Sequence, residues 1–167
     1  MLNLSLLLTH SLVGILVISG IILIVGLKRP RWFLMKKNVP PDILAAVPPR
    51  TEAERRQSLW AAIPLAFGLL GLVFYSTYVF GSASEVGFGL LFLHALILIL
   101  TVSTFDLVVI DWLLLNTITP KQLVYPGTEG FAGYKDYSFH GRAHLRALPG
   151  QAIFAVMAAA IVLLLLA

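Results

Sequence analysis

Residues 86–115 read VGFGLLFLHALILILTVSTFDLVVIDWLLL, with Asp106 and Asp111 as the only charges in the run. A bilayer core is about 30 Å thick and is crossed by about 20 helical residues. At about 1.5 Å per residue this run makes roughly 45 Å of helix, so it spans and its excess tilts or protrudes. The protruding end is the one that carries the aspartates.

Working outward, three more runs share this character. Residues 2–27 carry no charge and are long enough to span with some tilt. No basic segment precedes them, and the run exceeds the ~7–15 apolar residues of a secretory signal, so a retained helix is expected. Residues 59–80 form a second uncharged span, with Pro64 as a possible kink. Residues 147–167 form the fourth, where Ala152, Ala155 and Ala159 make a small-residue stripe suited to close helix packing. The expected architecture is all-α: a four-helix integral membrane bundle of antiparallel spans, with short interfacial helices in its two long loops.

Composition agrees. The 167 residues are 59% hydrophobic and 12% charged. Soluble domains are about half apolar and about a quarter charged, so the shortage of charge is the more telling departure. Cysteine is absent, which excludes disulfides, thiolate metal sites, iron–sulfur clusters and cysteine nucleophiles. The net charge of +4 flanks apolar runs, so it reports topology and lipid contact rather than nucleic acid.

The loops supply boundaries and orientation. In residues 28–58, Trp32 and Phe33 lie among basic residues, as at headgroup level. Pro40-Pro41 and Pro48-Pro49 bracket one or two turns of helix, and Thr51 to Glu54 fit a capping box that starts the second helix. Ser82 and Glu85 fit another, which places the start of the third helix near Ala83. Asp136 is a cap for a short helix over 137–148 that Gly141 weakens. Lys28, Arg29, Arg31, Lys36, Lys37, Arg50, Arg55 and Arg56 fall in the first long loop, and Lys121, Lys135, Arg142 and Arg146 in residues 116–146. These account for all 12 lysines and arginines. The positive-inside rule makes both loops cytoplasmic, with both termini outside a bacterial-type inner membrane.

Three constellations carry chemistry. With about 100° per residue, His94, Thr101, Thr104 and Asp111 share a broad polar arc, Asn116 lies near its edge, and Asp106 points elsewhere. That arc is expected to face the bundle, because polar groups facing lipid are costly, with Asp111 pairing to Lys121 or Arg146. His10 and His94 lie at similar depth, so two imidazoles can meet at one level, as in a haem site. Asp136, His140 and His144, spaced by four, stack on one helical face and can share a divalent metal, completed by Glu129 or Asp111. Residues 126–130, PGTEG, lack the lysine of a phosphate loop and read as a turn.

No complete catalytic set is present. The leading reading is a non-catalytic membrane subunit or interaction partner of a larger membrane complex or homo-oligomer, embedded in the lipid bilayer. The alternative is a haem- or metal-binding redox protein. A transporter is disfavoured because no inverted repeat is visible.

Overall fold

The computed structural model describes residues 1–36, 38–83 and 86–167, and among these the secondary structure is entirely helical. Four helices are long and apolar enough to cross a membrane: α1 (Leu4–Lys28), α3 (Glu52–Ser82), α4 (Phe88–Ile118) and α5 (Tyr137–Leu166), with a short α2 (Pro41–Ala46) in the first loop.

Local chemistry explains most of the boundaries. Asn3 caps α1, its side chain accepting from the Leu6 amide at 3.0 Å. Pro41 opens α2, where a missing N–H costs nothing. The capping box at α3 is complete: Thr51 Oγ1 accepts from the Glu54 amide at 3.2 Å, and Glu54 accepts from the Thr51 amide at 2.8 Å. The helix then continues through Pro64.

Two boundaries differ from expectation. Helix α4 begins at Phe88 with Gly87 as its cap rather than near Ala83. Ser82 instead ends α3, donating to the Val79 carbonyl at 3.2 Å, and Glu85 lies outside the described residues. The short helix after Asp136 and the fourth span are one continuous helix that runs through Gly141 and Pro149.

The start of α1, the end of α3, the start of α4 and the end of α5 meet in a dry core. Leu7, Val73, Phe80, Leu91, Ala95, Leu98 and Val162 fill it around Ala155, Ala158 and Ala159, which are fully covered. Ala155 and Ala159 of the expected small-residue stripe thus take their places, while Ala152 is half-buried. Gly14 serves the same purpose on α1. A Cβ there would stand 3.0 Å from Val102 Cγ2 and 3.2 Å from Leu72 Cδ2. Outside this core the surface is apolar, with Leu16, Ile24, Trp60, Phe67, Ile153 and Leu164 exposed.

The two long loops build a core of their own at the opposite end. Leu34, Val39, Ile43, Val47 and Tyr125 are buried together, with Phe131 and Tyr134 against them. The Gly133 amide donates to Asp42 at 2.9 Å, and Tyr125 donates to the Pro30 carbonyl at 3.1 Å. Burial pushes the Tyr125 phenol up to about 12, so it remains a donor throughout the neutral range. Arg31 ties the first loop to α3 through Glu54 at 2.6 Å, and that hydrogen bond raises the guanidinium pKa further.

Gly133 is where the two loops touch most closely, since a Cβ there would collide with the Asp42 carboxylate and with Pro40. Gly133→Ala is expected to lower the melting temperature in detergent and to open residues 34–47 to protease. Gly71→Ala, where a Cβ meets nothing, should be neutral or stabilising by about 0.5–1 kcal/mol. Equal behaviour of the two variants would contradict the docking of one loop on the other.

Candidate functional site

At the loop end, α1, α4 and α5 enclose a cavity of about 500 Å³. Ile22, Leu23 and Gly26 of α1 give one apolar wall, and residues 39–43 with Tyr125 and Tyr134 cover the loop side. Helix α3 contributes nothing to the lining, and Leu59, Trp60, Ile63, Phe67 and Leu70 along its first half are exposed. Three of the four long helices wall the cavity, then, and α3 lies outside its lining.

The polar lining comes from an unusual stretch of α4. From Asp106 to Ile118 the helix is a π-helix, hydrogen bonded from i to i+5. The last turn shows the pattern: the Thr119 amide donates to Leu114 O at 2.8 Å. An α-helix would separate Asp106 from Asp111 by roughly 140°, as the sequence projection does. The wider turn brings residue i+5 back toward residue i, and Asp106, Asp111 and Asn116 all line the cavity. The expectation that Asp106 points elsewhere is therefore corrected, because it assumed α-helical rotation.

Opposite this stretch stand His140, His144 and Gln151 of α5. His140 Nδ1 lies 3.3 Å from Asp111 Oδ2, so the partner of Asp111 is a buried imidazole rather than Lys121 or Arg146. Asn116 is 2% exposed; its Nδ2 donates to Tyr134 O at 3.0 Å, while its Oδ1 has no partner. Asp106 Oδ1 is buried and has no partner either. Among the described residues the lining holds no lysine or arginine.

The end of α4 is clamped. Lys135 Nζ donates to Asn116 O at 2.8 Å, Thr117 O at 3.0 Å and Thr119 Oγ1 at 2.8 Å, which also places a cation at the helix C-terminus. Trp112 donates to the Tyr137 carbonyl at 3.0 Å and ties α4 to the start of α5. Thr119 itself takes φ 50, a left-handed conformation that a β-branched residue rarely adopts. It too lines the cavity.

The other sequence-level constellations separate differently. Of Asp136, His140 and His144, the two histidines face the cavity. Asp136 caps α5, accepting from the Phe139 amide at 3.0 Å and from Ser138 Oγ at 2.5 Å, with Arg142 at 3.7 Å. The Ser138 hydrogen bond, with the Phe139 amide and Arg142, holds this carboxyl below the usual range. Glu129 is not part of the lining, and among the described residues no three His, Asp or Glu side chains gather as a metal site.

His10 and His94 do come together, at the dry end, through an intermediary. Ser76 Oγ lies 2.8 Å from His10 Nδ1 and 2.8 Å from His94 Nε2, so its hydroxyl occupies the space between the imidazoles. Phe80 stacks on the fully buried His94 ring at 4.6 Å. Ser76 is the residue that sequence reasoning missed. Its signal was the run of hydroxyl residues Tyr75 to Tyr78 inside an apolar span, since hydroxyls in lipid seek a neighbouring helix.

Thr101 and Thr104 are exposed rather than bundle-facing. The buried residues Leu91, Ala95, Leu98 and Val102 lie roughly 40–100° to one side of His94, so the packed face is not centred on the histidine. This leaves Thr101 at the edge and Thr104 on the outer surface.

Comparison with family models, with curated proteins and with solved structures finds no match. Fold and site define a class and nothing narrower: an all-helical, multi-pass membrane protein with a partly polar cavity at one end.

Ser76→Ala leaves two imidazole nitrogens without their shared partner, at about 1–3 kcal/mol for each group left unsatisfied. Unfolding in mixed detergent is expected to show Ser76→Ala well below Ser82→Ala, whose hydroxyl is exposed. Equal stabilities would mean that the bridge contributes nothing.

Proposed function

We propose that this protein is a non-catalytic binding subunit of a membrane assembly, which takes an amphiphilic molecule from the inner leaflet into the loop-end cavity. Its four long helices cross the bilayer as an antiparallel bundle, and both basic loops are cytoplasmic. Support for the topology comes from the meeting of both chain termini with the α3–α4 connection at one end, and from the confinement of lysine and arginine to the other.

One observation carries the functional reading: a cavity of about 500 Å³ combines apolar walls with buried polar groups and takes none of its lining from α3. Ligand pockets commonly have about 300–1,000 Å³ and few, well-placed polar groups. A side open to lipid admits a molecule with a hydrocarbon tail, and the polar floor receives its head. The arrangement serves binding, because the polar groups line the cavity rather than the apolar outer surface.

A role within a larger assembly has its own observation. Thr101 and Thr104 are exposed on the apolar α4, where a partner helix or second copy would cover hydroxyls that lipid does not satisfy.

Native mass spectrometry of protein extracted directly from membranes tests the cavity reading. The wild type is expected to retain a bound lipid-sized mass at about one per chain. Ala147→Trp, which fills the cavity from α5, should lose that mass while still folding. Retention of the same mass by the variant would place the lipid on the outer surface and refute cavity binding.

A further inference from the structure

Asp106, Asp111 and Asn116 follow one another at intervals of five, in the segment of α4 whose hydrogen bonds also span five residues. They stand along one cavity wall as a ladder of side-chain oxygens, over roughly 10–15 Å at about 1–1.5 Å per residue. The outer two rungs are incomplete. Asp106 Oδ1 and Asn116 Oδ1 are both buried acceptors without a partner, and Asn116 is 2% exposed with its amide nitrogen already committed to Tyr134. The middle rung, Asp111, faces His140. Buried acceptors left empty cost about 1–3 kcal/mol each, so a ligand that brings donors to them gains affinity and one that brings acceptors loses it.

Resting on the cavity reading above, we infer that the ligand is a lipid with an uncharged, polyhydroxyl head of the sugar type, whose hydroxyls donate to Asp106 and Asn116. A head of this kind offers several donors spread over the length of the ladder, which a single hydroxyl does not. An anionic phosphate head would instead bring acceptors and negative charge beside two carboxylates, with no lysine or arginine in the lining among the described residues. The tail lies along the apolar wall of Ile22, Leu23 and Gly26 and leaves on the side to which α3 contributes no lining.

The test uses the full-length protein in nanodiscs and three lipids with identical dioleoyl tails: glucosyl-diacylglycerol, its per-O-acetylated form, which has no donors, and phosphatidic acid. Bound lipid is counted by native mass spectrometry. Glucosyl-diacylglycerol is expected to bind about tenfold more tightly than either of the others, as one or two hydrogen bonds to these acceptors would give. Asp106→Leu should remove most of that preference, leave the acetylated lipid unchanged and not lower the melting temperature. Equal binding of all three lipids, or preference for phosphatidic acid, overturns the head-group inference but leaves the cavity reading standing. No cavity-dependent binding of any of them overturns both.

Discussion

The five-residue hydrogen-bonding register in the second half of α4 is the constraint on which the loop end depends. With α-helical rotation, a carboxylate at 106 would face away from one at 111, and the stripe Asp106–Asp111–Asn116 would not exist. π-Helical turns are rare and usually short, and they occur most often where function requires a local change of face. This one is held from both sides. Lys135 gathers the last carbonyls, Trp112 reaches the α5 backbone, and Asp111 meets His140. The strained Thr119 is secured by the same lysine, so the unusual backbone and the cavity wall are maintained together.

The two ends of the molecule satisfy their polar groups in different ways. At the end opposite the loops, alanines on α5 and Gly14 on α1 let the backbones approach, and His10, Ser76 and His94 bond in a row, with only His94 Nδ1 of that chain left without a partner. Small residues and interhelical hydrogen bonds are how helices associate where lipid offers no hydrophobic advantage. At the loop end a cavity separates α1, α4 and α5, α3 contributes none of its lining, and Asp106 Oδ1 and Asn116 Oδ1 are buried without a partner. A close-packed half therefore adjoins the half that holds the cavity, and the docked loops cover the end of that cavity.

Much of the architecture was legible in the chain, because span length, charge placement and caps are local properties. The Thr51–Glu54 box and the Asp136 cap form where their spacing puts them. The depth match of His10 and His94 says nothing about Ser76, which stands between the two rings in the structure. The projection of α4 failed for two physical reasons. Its packed face is set by Leu91, Ala95, Leu98 and Val102 rather than by the histidine, which exposes Thr101 and Thr104. Its second half does not rotate by 100° per residue, and no residue between 106 and 118 announces this. Convergence of Asp111, His140 and His144 on one rim was within reach of sequence, whereas the share of Asp106 in it was not.

The relation between Asp106 and Asp111 is thus the point at which measurement bears most directly. The chain has no cysteine, so single cysteines at 106, 108, 111 and 113 report without background. A small membrane-permeant maleimide, which reacts only where a polar environment supports the thiolate, should label 106 and 111 alike, since both line the partly polar cavity, while 108 and 113, which are exposed on the outer apolar face, should resist in lipid. If 106 resists as 108 does while 111 reacts, the helix turns as an ordinary α-helix there, and the acceptor ladder does not exist.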